Sequence, residues 1–314
     1  MIDRIGVVGG GTMGHGIAAS FALAGCDVTL FEPSEKQRAH VLPAVRAAYD
    51  LLVEEKAVTA EAADRALAHI RLTEDLASAV ADRGFVVEAI PERLELKQAL
   101  FADLDRLCPA DAVFASNTSS LPLEAMIANL PPERRARTMV THWYNPPLLM
   151  PIVELSFFGN MDACVYAEVE ALHVAAGKQT VKVLKDVPGL VANRIQQGVA
   201  REVFSILEQG IAAPEDVDKA LKFGPGFRYA TTGQLEIADF GGLDIWLTVG
   251  DNLLAVMDAS TRANDLLRAR VADGKLGVKS GEGFYRWDPE TVAERLKAFQ
   301  RRLIRQLEAS KTYV

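Results

Sequence analysis

The chain has 314 residues, 49% apolar and 24% charged, with a formal net charge of −8. That length supports two domains with their own cores, and the acidic balance argues against nucleic acid as a partner. No apolar run approaches the roughly 18 residues of a membrane-spanning helix, so a membrane partner is not expected.

The three cysteines, Cys26, Cys108 and Cys164, form no CxxC pair. They read as small core residues in a reducing, cytoplasmic compartment. The chain opens directly on a strand pattern, so no signal or transit peptide is expected. That first strand is the apolar run 5–8. It leads into Gly9-Gly10-Gly11-Thr12-Met13-Gly14 and then into the helix-prone HGIAASFALAG. Strand, glycine turn and helix in this order form a dinucleotide cradle. Gly9 permits the tight turn, Gly11 lets the backbone approach a pyrophosphate, and Gly14 allows close helix–strand packing. The next strand, 27–31, ends at Glu32, about twenty residues on, where an acid can bond the adenosine ribose. Glu32 also reads as an exposed strand-end acid.

A helical hairpin follows, 34–55 and 60–69. Short strands are expected near 70–72, 85–88, 113–115, 138–141, 152–155 and 180–183, with helices between them, including 94–107 and 162–176. This alternation is the α/β pattern of a doubly wound sheet. It stops at the breaker cluster Asp186-Val187-Pro188-Gly189. The expected domains are therefore 1–186, dinucleotide-binding, and 187–314, all helical. In the second domain Val191, Ile195, Val199, Val203 and Ile206 mark one face of a long helix ending near Gly210. Three or four further helices follow, and 289–308 is a charged amphipathic one.

Three segments sit where ligands bind, at the carboxyl ends of strands. In FVVEAIPERLELK, 85–97, a strand ends at Glu88-Ala89, and Glu92 and Lys97 open a helix. In ASNTSSLP, 115–122, four small polar residues follow a strand; they also suit a helix-capping loop. In HWYNPPLLMPIVE, 142–154, His142 ends one strand and Glu154 lies on the next, across a Pro-rich link. An imidazole held by a buried carboxylate is a general acid/base unit. The same pair reads as a core histidine beside a capping acid. No His/Cys/Asp cluster has metal-ligand spacing, so no metal is expected.

Taken together, VVGGGTMGHGIA, VVEAIPE, ASNTSS, HWYNP with Glu154 downstream, DVPGLVANR and KSGEGFYRW resemble the L-3-hydroxyacyl-CoA dehydrogenase family, in its order and over nearly the whole chain. The resemblance implies a Rossmann-type domain, a helical domain that carries a homodimer contact, NAD as cofactor, and oxidation of a 3-hydroxyacyl-CoA to its 3-oxo form, as in fatty acid metabolism. It implies His142 as base and Glu154 as its partner, with Ser119 and Asn193 on the substrate oxygen. Gly9, Gly11, Thr12, Met13, Gly14, Glu32, Ala89, Glu92, Lys97, Asn117 and Asn145 match positions that line the cofactor. Glu32 would repel a 2′-phosphate, which favours NAD over NADP.

The chain departs from the family pattern on the substrate side. Trp143-Tyr144 replaces the usual Phe-Phe, and Pro147 follows Pro146. The junction 224–244 is longer than the usual glycine turn. The clamp region 39–55 holds one positive charge, Arg46, where CoA phosphates call for several. The long junction is similar to that of family members acting on free hydroxy acids, such as lambda-crystallins, the L-gulonate dehydrogenases. On that reading Phe223, Phe227, Tyr229, Trp143 and Tyr144 wall a small pocket, and Arg228 pairs with a substrate carboxylate, or else forms a surface salt bridge. Acyl-CoA and small hydroxy carboxylate, from a sugar acid to an aromatic alcohol acid, thus stand as the two substrate readings, the first narrowly ahead. A non-catalytic dinucleotide binder is disfavoured by the intact His142, Glu154, Ser119 and Asn193 set.

Overall fold

The computed structural model describes residues 2–313. The chain divides after Val191 into two compact units. Unit 1 runs β1 (Arg4–Val8), α1 (Thr12–Leu23), β2 (Asp27–Phe31), α2 (Glu35–Glu54), α3 (Ala60–Ala68), β3 (Ile70–Thr73), α4 (Leu76–Val80) and β4 (Phe85–Glu88). It continues with α5 (Leu94–Leu107), β5 (Val113–Ser116), α6 (Leu123–Met126), α7 (Pro132–Arg135), β6 (Thr138–Trp143), β7 (Ile152–Ser156), α8 (Ala163–Ala175) and β8 (Gln179–Val183).

The eight strands form one sheet in the order β3-β2-β1-β4-β5-β6-β7-β8. All neighbours are parallel except β6 and β7. Strands β4, β5 and β6 are buried along their whole length, as parallel strands covered by helices on both faces must be. On one face Phe101 of α5 stacks on Phe114 of β5 at 6.3 Å. On the other, Phe21 of α1 meets Phe85, Trp143 and His173 edge-on at 5.3–6.0 Å. The helical hairpin starts on side-chain caps. Ser34 accepts from Gln37 N at the head of α2, and Thr59 accepts from Ala62 N at the head of α3.

At the glycine turn, Gly9 has φ +105°, a conformation other residues avoid. A Cβ on Gly14 would stand 1.8 Å from the Gly9 carbonyl oxygen. Only glycine lets α1 start that close to β1.

Unit 2 comprises α9 (Ala192–Glu208), α10 (Pro214–Phe223), α11 (Pro225–Tyr229), α12 (Gln234–Gly241), α13 (Leu243–Leu254), α14 (Asp265–Ala272) and α15 (Val292–Ser310). The long junction breaks into more helices than expected because Gly224 separates α10 from α11 and Gly242, at φ +90°, separates α12 from α13. Among the described residues unit 2 buries few large apolar side chains: Val217, Ile237 and Ile304. Ile195 and Val199, on the expected core face of α9, are exposed.

Unit 1 extends to Val191, five residues past the expected boundary after Asp186; the Gly189 and Val191 amides are bonded to the Ser119 carbonyl and the Glu154 carboxylate. Two expectations need correction. Of the cysteines only Cys26 is buried; Cys108 is half-buried and Cys164 exposed. Trp143 is no pocket wall: it is 1% exposed and packed against Phe21 and His173. Side chains alternate along a strand, so the residue after His142 must point to the opposite face. Trp143→Ala should therefore act as a core deletion, lowering the unfolding free energy in urea by about 3–5 kcal/mol.

Candidate functional site

The cofactor end is built by the first βαβ unit. No side chain caps α1, and its first turn, including Thr12 and Met13, holds no acid, so its N-terminus is a free anion-binding end. A Cβ at Gly11 would meet nothing within 4 Å, which leaves room for a phosphate. The Glu32 carboxylate accepts from Gly10 N at 2.8 Å and Ser34 N at 2.9 Å. Each oxygen keeps acceptor capacity for a ribose hydroxyl. Ala89 backs the turn: its amide bonds Val8 O, and its carbonyl oxygen lies 2.9 Å from where a Gly9 Cβ would be. Arg38 is a residue the sequence reading missed. It lies beyond Glu32, but it bonds the Glu32 carbonyl at 2.7 Å and pairs with Glu74 at 2.6 Å. It is thus engaged away from the Glu32 carboxylate. These residues fit a dinucleotide.

At the ends of β4 and β5 lies a buried ionic knot. Lys97 Nζ sits 2.5 Å from Glu88 and 3.1 Å from Glu92, with Ser116 Oγ at 3.5 Å. Lys97 is 1% exposed. It was expected to line the cofactor; instead its ammonium is interior, because two carboxylates surround it. Glu92 is the more exposed partner. Its Oε1 accepts from Thr118 Oγ1 (2.5 Å), Ser119 N (3.1 Å), Ser120 N (3.1 Å) and Ser120 Oγ (2.9 Å). One carboxylate therefore shapes the loop that presents Ser119, whose side chain is exposed. Asn117, in the same loop, accepts from Trp143 N at 2.9 Å and ties β6 to it.

The candidate acid/base pair sits on the antiparallel step of the sheet. His142 and Glu154 are register partners on β6 and β7. His142 Nδ1 lies 2.7 Å from Glu154 Oε2, and both side chains are buried. An ionised carboxylate only accepts, so Nδ1 carries the proton and Nε2 is the ring nitrogen able to accept one. The second carboxylate oxygen accepts from Val191 N at 2.8 Å. Glu154 is thus held from two sides and fixes both tautomer and ring plane. Tyr144 lies edge-on to the His142 ring at 5.4 Å. Burial, with Glu154 nearby, pushes its hydroxyl up to about 12. Asn145 follows it, exposed, before a cis bond to Pro146.

Unit 2 carries the other expected residues. Asn193 is half-buried on the first turn of α9. Arg228 is exposed on α11 between Phe227 and Tyr229, and it makes no ion pair among the described residues. The surface salt bridge considered for it does not form.

A glycine cradle, an acid at the end of β2 and a carboxylate-held imidazole at the same sheet edge define an NAD-dependent dehydrogenase. The chain belongs to the 3-hydroxyacyl-CoA dehydrogenase family: the family's NAD-binding domain matches residues 4–187, and its C-terminal domain matches 189–287. It is 30% identical over 311 residues to a 5-formyl-3-hydroxy-2-methylpyridine 4-carboxylate 5-dehydrogenase of Mesorhizobium japonicum, covering 98% of this chain and 97% of that one. It is 36% identical over 287 residues to a 3-hydroxybutyryl-CoA dehydrogenase of Mycobacterium tuberculosis, covering 90% and 98%. Among solved structures, a 5-formyl-3-hydroxy-2-methylpyridine 4-carboxylic acid 5-dehydrogenase, described as an NAD⁺-dependent dismutase, superposes with a TM-score of 0.91 at 28% identity, over 100% of both chains.

The acid knot makes one testable demand. Burial alone would raise the Glu92 carboxyl, but the Thr118 and Ser120 hydrogen bonds and the Lys97 charge outweigh it and hold it at about 2, against an ordinary 4.5. The unfolded chain therefore binds a proton here first. Stability from Glu92 is present above pH 4.5 and is lost as pH falls through about 2. In acid titrations of stability, Glu92→Gln should be less stable than wild type at neutral pH and show a shallower fall across that window.

Proposed function

We propose that this chain oxidises a small free carboxylate that carries an alcohol or a hydrated aldehyde, with NAD as oxidant. The observation that carries this reading is the end-to-end likeness, TM-score 0.91 over all of both chains, to an enzyme named for a formylpyridine carboxylate. A second observation supports it. Arg46, the one positive charge in the 39–55 stretch, is paired with Asp64 at 2.8 Å and lies 3.7 Å from Asp50. It is not a free partner for CoA phosphates. The acyl-CoA reading stands second, favoured by the 36% identity to the 3-hydroxybutyryl-CoA enzyme.

Either substrate uses the same chain residues. His142 Nε2 takes the hydroxyl proton as the carbon–hydrogen bond breaks, which leaves a carbonyl from an alcohol or a carboxylic acid from an aldehyde hydrate. Glu154 stabilises the imidazolium that results. Bound NAD supplies the hydride acceptor, held by Gly9, Gly11, Thr12, Met13, Gly14 and Glu32. In unit 1, Ser119 orients the substrate oxygen, which supplies rate through position. In unit 2, Asn193 and Arg228 are the residues proposed to meet the substrate, Arg228 through a carboxylate, with Phe223, Phe227 and Tyr229 as aromatic residues on the same stretch of chain.

A panel assay of NADH formation tests this. The panel holds L-3-hydroxybutyryl-CoA, free 3-hydroxybutyrate, L-gulonate and the formylpyridine carboxylate. A free carboxylate should show the highest kcat/KM, and Arg228→Ala should raise its KM. His142→Ala should lower kcat by about 10²–10⁴-fold with NAD affinity nearly unchanged. Highest kcat/KM with the CoA ester, undiminished by Arg228→Ala, transfers the assignment to the second reading.

The protein is further proposed to act as a homodimer through unit 2. Support comes from the exposed apolar side chains there, among them Leu235, Phe240, Leu247, Leu254 and Val256. So much open apolar surface calls for a partner, and a symmetric copy is the commonest one. Light scattering at micromolar concentration should give twice the chain mass of 34.1 kDa; a monomer contradicts the proposal.

A further inference from the structure

Against the Trp143 ring, on the side of β6 away from His142, lies a buried charge with no carboxylate. Lys178 stands between α8 and β8 and is 5% exposed. Among the described residues it makes no ion pair. Its Nζ donates instead to three backbone carbonyls: Pro147 at 2.7 Å, Met150 at 3.0 Å and Leu148 at 3.5 Å. It also lies 5.2 Å from the centre of the Trp143 ring. Burial pushes its pKa down to about 8.

All three acceptors belong to the loop that joins β6 to β7, the strands that carry His142 and Glu154. The loop closes on itself, with Leu149 N and Met150 N both donating to Pro146 O. The Pro147, Leu148 and Met150 carbonyls then turn toward the Lys178 ammonium, and a buried backbone acceptor needs such a partner. The loop also rests on the cofactor helix. Ser20 Oγ of α1 lies 3.4 Å from Pro147 O, and a Cβ at Gly16 would stand 2.9 Å from Pro147 Cδ. One ammonium therefore gathers a loop that touches α1 on one side and ends in the catalytic strands on the other. A buried charge is a costly way to satisfy loop carbonyls, since an outward-facing loop needs none.

We infer that Lys178 is a positioning residue for the reaction: its ammonium seats the 146–150 loop against α1, and so fixes the His142–Glu154 pair relative to the cofactor. The inference rests on the reading of that pair as the acid/base unit. Lys178 touches neither substrate nor cofactor; it acts through the loop. Displacements of about 1 Å at a reacting group are enough for losses near 100-fold.

The test compares Lys178→Met, which keeps the length and removes the charge, with Lys178→Arg, which keeps a charged donor. Gly16→Ala pushes the same loop from the α1 side. Each is measured for Tm, NAD⁺ affinity, kcat with whichever panel substrate the wild type oxidises, and amide hydrogen exchange at Leu149 and Met150. Lys178→Met should lower kcat by about 10- to 100-fold below Tm, leave NAD⁺ affinity nearly unchanged, and speed exchange in the loop. Lys178→Arg should recover part of the kcat. If Lys178→Met does not fold, Gly16→Ala should show the same loss of kcat at intact NAD⁺ affinity. Wild-type kcat in a folded Lys178→Met, or in Gly16→Ala when that is the only folded variant, overturns the inference, as does unchanged loop exchange. Should His142→Ala itself retain turnover, the acid/base reading fails first, and the exchange data alone then report on the loop.

Discussion

The hydrogen bond between His142 and Glu154 exists because β7 runs against β6. In an antiparallel ladder, residues directly opposite each other share a face and lie close enough for side chains to meet. These two are direct partners. A slip of one residue would carry Glu154 to the face of Trp143 and leave the imidazole without its acceptor. The parallel strands before the reversal perform the complementary task. They bring the glycine turn, Glu88, Ser116 and His142 to one edge of the sheet. Dinucleotide cradle and acid/base pair are then neighbours by topology, although more than a hundred residues separate them in sequence.

Around that edge the interior of unit 1 is unusually polar. Glu88, Lys97, Glu154 and Lys178 are all buried. Apolar residues of the same volume would give equal or better stability at such places, whereas removing one partner of a formed pair costs about 3–5 kcal/mol. What the charges supply is direction. Glu88 and Glu92 hold Lys97, Glu92 shapes the Ser119 turn, and Glu154 turns the imidazole. Each is a fixed group with its acceptors or donors filled, which is how a site keeps its geometry without rigid covalent links.

The strands and their order of appearance were readable from the sequence, because apolar runs bounded by breakers carry their own signal. The helix 94–107 and the helical hairpin 34–69 were equally legible in outline. The His142–Glu154 pairing could be anticipated because the Pro-rich link between two β-prone runs leaves few ways to close. What escaped was side-chain direction and charge burial. Trp143 sits in the same motif as His142, and only the pleat, not the motif, sends it into the core. Lys97 reads as a cofactor contact because it matches a family position that lines the cofactor; the two acids that enclose it come from a strand end and a turn. Lys178 gave no signal at all, since its partners are backbone carbonyls that no sequence pattern marks. Unit 1 runs a few residues past the breaker cluster for a similar reason. The breaker cluster at 186–189 marks where strands end, but backbone bonds to Ser119 and Glu154 keep the following residues with unit 1.

Those same bonds bear on how the two halves of such an enzyme can be exchanged. The amide of Val191, the last residue of unit 1, occupies one oxygen of the Glu154 carboxylate. Leu190 just before it takes a left-handed conformation, at φ +47°, to aim that amide. A chimera that joins this NAD-binding half to another helical half at the breaker cluster would import a foreign tether into the acid/base pair. A junction placed after Val191 would keep the tether native. The seam in the polypeptide and the seam in the chemistry are a few residues apart, and recombination that respects only the first will damage the second.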